Sequence, residues 1–325
     1  MPFLGNDSAR EALAAAMHGG NLHHAWLIAG PEGVGKGSFA RQAALRMLAE
    51  AAGRDQLRPG WDVPAESQTV HLVDAGAHPD YRELVRLPKD ADKPDEALAR
   101  SITIAQVRGL QPLFATKPSF SSRRVIVIDA IDDLERGGAN ALLKNLEEPP
   151  AGTIFLLVSH APGRLLPTIR SRCRLLRFEA LSDGDVTAIL REQLLDASPA
   201  EIAALVKAGE GSPGRALGFA GLDIAAIETE MAALADTGDP SNMIRARLAK
   251  LLGPKGAQPR YEAFLERAPS FIAERARTLS GDPLRTALDA YAAAGELGGA
   301  AKGLSLDASA TVFEMGGILA RLGRS

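Results

Sequence analysis

The chain has 325 residues, with 37 Lys+Arg against 40 Asp+Glu for a net charge of −3, and is 46% hydrophobic and 24% charged. At about 150 residues per domain this is room for two or three domains with a full core, and no disulfide or metal staple is required. The near-neutral balance excludes a uniformly basic nucleic-acid coat, and the single cysteine, Cys173, excludes an intrachain disulfide and a cysteine-rich zinc site.

The N-terminal segment carries Asp7 and Arg10 with no apolar leader, and no run approaches the ~20 apolar residues of a membrane span. The expected location is the cytoplasm, with no membrane contact. Along residues 1–180, short Val/Ile/Leu runs alternate with helical patterns. AWLIAG (25–30), VIVID (125–129) and IFLLVS (154–159) are nearly continuous apolar runs, which predict parallel strands covered on both faces. LLRF (175–178) predicts a further strand. The stretch 50–100, rich in Pro, Asp and Ala (PKDADKPDEA, 88–97), predicts loops around one strand. Residues 181–222 read as two or three short helices broken by GEGSPG (209–214). Residues 223–325 read as four or five helices, with breaks near 238–240, 253–254, 281–283 and 298–303. The predicted division is therefore an α/β domain over 1–180, a small helical domain over 181–222 and an all-α domain over 223–325.

Gly30-Pro31-Glu32-Gly33-Val34-Gly35-Lys36 lies between a predicted strand and a predicted helix. That is the setting of a phosphate-binding P-loop: Gly30, Gly33 and Gly35 let backbone N–H groups turn inward, and Lys36 adds a positive charge at the helix N-terminus. The pattern requires a hydroxyl directly after the lysine to hold Mg²⁺. Position 37 is glycine, and Ser38 is one residue late, rotated ~100° around the helix.

Asp129 closes the VIVID strand, where P-loop ATPases hold magnesium through a carboxylate and use an adjacent Glu to activate water. The adjacent residue is Ala130, which can do neither; Asp132 and Asp133 follow in the next loop. Gly37 and Ala130 strike the same reaction, so poor ATP hydrolysis, or none, is expected of the chain.

From Pro149 to Phe178 there are five arginines (164, 170, 172, 174 and 177) and no acid. For most of them a solvated face suffices. Arg172, in TIRSRCR (168–174), stands between a short helix and a strand, where a planar, permanently charged guanidinium could reach into a neighbouring subunit. Cys173 is read as a small buried hydrophobe without a catalytic role.

Five segments occur in order: LHHAWLIAGPEGVGK (22–36), HPDY (78–81), VIVIDAID (125–132), NALLKNLEEPP (140–150) and LLPTIRSRCRLLRF (165–178). Through them the sequence resembles the delta-prime family of bacterial clamp-loader subunits, a branch of the AAA+ proteins. The resemblance implies an AAA+ sheet domain, a helical lid and a helical collar that assembles in a ring-like pentamer. It implies a non-hydrolysing stator within the DNA polymerase III holoenzyme, presenting Arg172 as an arginine finger to ATP on an adjacent tau/gamma ATPase subunit. The other implied partners are a delta subunit and, through the complex, the sliding clamp and primed DNA. Relatives often carry a four-cysteine zinc module that this chain lacks, so no zinc is expected. Ser159 falls at a polar sensor position. Arg215, in GSPGR, is either the lid arginine that touches a γ-phosphate or a structural helix-start residue. ATP or ADP binding without magnesium chemistry is left open.

Smaller features take plain readings. His23 and His24 pack or cap, and Leu142, Leu143 and Leu146 form a core face. Lys144, Arg123 and Arg124 each lie on a solvated face that could touch DNA. The alternative function is an active tau/gamma-type ATPase, which should show a hydroxyl at 37 and Glu at 130. A small-molecule kinase would leave the arginine segment and the helical tail unused.

Overall fold

The computed structural model describes residues 3–20, 22–90, 92, 98–304 and 306–324. Much of the PKDADKPDEA stretch (91 and 93–97) lies outside them. The backbone divides into two units, Met1–Asp185 with Gly211–Gly214, and Val186–Glu210 with Arg215–Ser325.

In the first unit, β1 (Ala25–Ala29), β2 (Tyr81–Val85), β3 (Arg124–Asp129), β4 (Thr153–Ser159) and β5 (Arg174–Arg177) form one sheet in the order β2-β3-β4-β1-β5. All neighbours are parallel, with Leu27 opposite both Leu157 and Leu175. Every residue of β1 and β4 is buried, as continuous apolar runs require at the centre of a two-faced sheet. The edge strands are partly exposed, β2 at Arg82 and Val85 and β5 at Arg174, Leu175 and Arg177.

The helices of this unit are α1 (Asp7–His18), α2 (Lys36–Ala52), α3 (Gln68–Asp74), α4 (Ile104–Arg108), α5 (Gln111–Phe114), α6 (Arg136–Glu147) and α7 (Pro167–Arg170). One face of the sheet, with Leu27, Ile126, Ile128, Phe155 and Leu157, packs on Val107 of α4, Leu142 and Leu146 of α6 and Ile169 of α7. Leu143 is only partly buried against this core. Helix α2 packs against β1, β3 and β4 and buries Phe39, Ala40, Ala43, Ala44 and Met47.

The remaining helices are α8 (Asp183–Gln193), α9 (Pro199–Gly209), α10 (Pro213–Gly218), α11 (Ile224–Thr237), α12 (Met243–Leu252), α13 (Gln258–Ala276), α14 (Gly281–Leu304) and α15 (Ala308–Leu319). The break predicted near 298–303 does not occur, because α14 runs straight through it. Ala287, Ala290, Ala294 and Ala301 are buried on α14, and a methyl group at Gly298 would lie 3.7 Å from the Leu265 carbonyl of α13. That is an ordinary contact, so the glycine is an uninterrupted helical residue facing α13, where sequence alone suggests punctuation.

Arg267 of α13 is fully buried among Glu228, Glu210 and Glu274, at 2.5, 3.2 and 2.6 Å. Its three carboxylate partners compensate the desolvated charge, and they hold the guanidinium above its ordinary pKa against the opposing effect of burial.

Candidate nucleotide and arginine-finger site

The loop between β1 and α2 has the backbone of a phosphate cradle. Gly33 and Gly35 take φ of 76° and 91°, left-handed values that glycine adopts without strain. Gly30 is held by packing: a Cβ there would collide with the carbonyl of Phe178. Lys36 is 2% exposed and donates from Nζ to the carbonyl oxygens of Gly30, at 2.8 Å, and Pro31. Burial lowers its pKa to about 8, against the opposing pull of Asp129, Glu32 and Asp132.

The cradle is covered by the unit's own atoms. Phe3 lies against Gly35 and packs with Phe39 and Phe178, at ring-centroid distances of 5.7 and 6.4 Å. Ser212 Oγ donates to the Glu32 carbonyl at 2.8 Å, and Gly214 N to the Gly33 carbonyl at 2.9 Å.

Position 37 decides the metal chemistry. A Cβ built on Gly37 would collide with Asp129 Oδ2, so the carboxylate fills the space in which a serine or threonine side chain would begin. Burial raises the Asp129 pKa, while His160 and Lys36 pull it down. Ser38 is exposed on α2, and Ala130 is buried. With no hydroxyl at 37, no carboxylate at 130 and Asp129 turned onto the glycine, these residues do not fit a magnesium–triphosphate.

Ser159 is fully buried and donates from Oγ to Asp132 Oδ1 at 2.9 Å. Asp132 also accepts the backbone N–H groups of His160 and Ala161, at 2.6 and 3.2 Å. Asp132 thus caps the turn after β4 and fixes the Ser159 hydroxyl. Its place just after the VIVID strand gives no sequence signal of that role.

Arg172 follows α7 and is one-third exposed. Its Nη1 donates to the Thr168 carbonyl at 2.8 Å, and its Nη2 pairs with Glu147 Oε1 at 2.8 Å. Glu147 is the last residue of α6. NALLKNLEEPP and TIRSRCR, distant in sequence, are therefore joined by one ion pair.

The HPDY segment is a clasp. Asp80, 1% exposed, accepts the backbone N–H groups of Ser119, Phe120 and Ser121, its shortest bond to each lying between 2.6 and 3.4 Å. It also pairs with buried Arg124 at 3.6 Å. Arg124 is thus no solvated contact for DNA, because the carboxylate keeps it inside. Arg123 is partly buried and Lys144 exposed.

Known proteins share this order of segments. A family model described as "DNA polymerase III, delta subunit" matches residues 5–182, more than half of the chain. The chain belongs to the DNA polymerase III delta-subunit family. Within it, the delta-prime subunit of Pseudomonas aeruginosa is 38% identical over 50% of this chain and 46% of its own length. That of Escherichia coli is 32% identical over 69% of this chain and 63% of its own. The match thus spans less than two thirds of either relative. The Escherichia coli tau subunit is 30% identical over 64% of this chain and 30% of its own length. Among solved structures, a gamma subunit-related protein of Thermotoga maritima aligns at 16% identity and a TM-score of 0.43, over 98% of this chain and 99% of that one, too distant to carry an argument.

Outside the segment matched by the delta-subunit family lies Arg215. Its guanidinium is engaged by Glu210 and Glu266, at 2.5 and 2.9 Å, and by Ser270 at 3.1 Å. Inside the segment, His23 bonds the backbone of Ala25, and His24 Nε2 lies 3.1 Å from the Leu146 carbonyl. Among the described residues no cluster of His, Cys, Asp and Glu could hold a metal, and no helix is long and apolar enough to cross a membrane. Cys173 is partly buried beside a cleft of about 540 Å³ next to the P-loop, and burial pushes its thiol up to about 12.

Proposed function

We propose that this chain is a non-hydrolysing clamp-loader subunit of the delta-prime type. It acts in the cytoplasm as a stator in a complex with tau/gamma ATPase subunits and a delta subunit, which loads the sliding clamp on primed DNA. In this reading residues 1–180 are the AAA+ domain, 181–222 the lid and 223–325 the collar. Any ATP or ADP at the loop is held weakly and without magnesium, and no zinc is involved. The observation that carries the reading is the Asp129 carboxylate set against Gly37, which leaves no room for the side-chain hydroxyl that would hold the metal hydrolysis needs.

Arg172 is the arginine finger, given in trans to ATP on the neighbouring subunit. Its support is the partial exposure of a planar guanidinium suited to phosphate oxygens. Ser159 is held too firmly by Asp132 to serve as a sensor of phosphate here, and Arg215 is structural, engaged by two carboxylates.

The test is a phosphate-release assay on the purified chain, beside a reconstitution with tau/gamma and delta subunits, clamp and primed DNA. The lone chain should release no phosphate above background. Arg172→Ala should reduce DNA-dependent turnover at the site it faces, where fingers supplied in trans contribute ~10³–10⁵ in rate. Magnesium-dependent turnover by the lone chain would favour a tau/gamma-type motor instead.

A further inference from the structure

Of the five arginines between 149 and 178, only Arg172 has an acidic partner among the described residues. Arg164, Arg170, Arg174 and Arg177 are exposed and unpaired with any carboxylate; Arg174 instead lies over the Trp26 ring. The acid on Arg172 is Glu147, at the C-terminal residue of α6. A carboxylate is locally unfavourable there, because the unsatisfied carbonyls already make that end of the helix negative. Local preference is thus set aside at the residue that meets the candidate finger, and such conflicts gather at functional sites.

We propose that Glu147 is a positioning residue for the Arg172 finger; the proposal rests on the finger reading above. The guanidinium carries five N–H donors in a rigid plane. Thr168 and Glu147 engage one donor on each terminal nitrogen, at 2.8 Å in both cases. The contacts come from two elements, the start of α7 and the end of α6, so they fix the plane as well as the position. Beyond a long contact from Nη1 to Ser171 Oγ at 3.5 Å, the other donors are left for the phosphate oxygens of a nucleotide on the adjacent subunit. Glu147 is itself half exposed, so the pair is solvated enough to adjust when phosphate arrives. The finger is held in advance of contact, and its ordering need not occur in the transition state.

The test uses the reconstituted complex with clamp and primed DNA, comparing E147A, E147Q, R172A and the double variant, with kcat and KM for ATP measured separately. E147A should lower kcat on the order of tenfold and leave KM unchanged, as expected of lost alignment. E147Q keeps an acceptor at the same reach and should recover most of the rate. The double variant should be no slower than R172A, because Glu147 acts only through the arginine. Gel filtration of the complex and thermal melting should not distinguish E147Q from wild type. Wild-type turnover by E147A, in a complex that R172A impairs, overturns the positioning role alone. Additive losses in the double variant overturn it too. Normal turnover by R172A overturns the finger reading and the positioning role with it.

Discussion

The Asp129 carboxylate stands where a side chain on residue 37 would have to begin. The missing hydroxyl after Lys36 is therefore a packed arrangement: no side chain can be added at 37 without moving the Asp129 carboxylate.

Gly37→Ser should create no magnesium site. The new side chain must displace Asp129, and overpacking of this kind costs about 1–3 kcal/mol. Urea unfolding should show that loss, and titration calorimetry should show no magnesium-dependent gain in ATP affinity. A gain in G37S alone would mean that Asp129 moves aside freely.

Lys36 makes stability depend on pH in a defined direction. Its pKa is about 8 in the fold against an ordinary value of 10.5, so between these values the unfolded chain binds the extra proton and stability rises with pH. The burden of the buried charge is fully present below pH 8 and is relieved towards pH 10.5. K36M removes this contribution. Wild type should gain on K36M across that window in denaturant melts; parallel curves would contradict the buried ammonium.

The glycine in α14 separates two effects of added size. The methyl group of G298A meets only an ordinary contact with the Leu265 carbonyl. G298A should therefore stabilise the helix by about 0.5–1 kcal/mol through lower chain entropy. G298L should push α13 away and cost about 1–3 kcal/mol. Thermal melting of both variants checks the pair, and equal behaviour would deny the close approach.

The central sheet was legible because β1, β3 and β4 are buried on both faces and must be apolar throughout. Strand β2 was legible only as one strand somewhere within 50–100, because YRELV mixes charged and apolar residues without a period and lies in a polar stretch. The loop glycines and Lys36 announce themselves by spacing. Asp80, Asp132 and Glu147 do not: each bonds to a segment far along the chain, and nothing in the local pattern records the partner. Arg124 misled for the same reason, since the carboxylate that draws it inside is 44 residues away in sequence. Glycine at 298 carries the opposite ambiguity, since the same residue marks a helix stop in one place and an ordinary helical position in another.

The clasp at Asp80 joins the entry of β2 to residues 39 to 41 positions ahead, and the Asp80 carbonyl accepts the Val125 N–H at 2.9 Å. The two neighbouring strands are thus aligned by the last residues of the crossover that links them, and its earlier part does not have to set their register. A tag or fluorescent reporter grafted at the exposed Lys89–Asp90 step, ahead of α4, should therefore leave the sheet undisturbed.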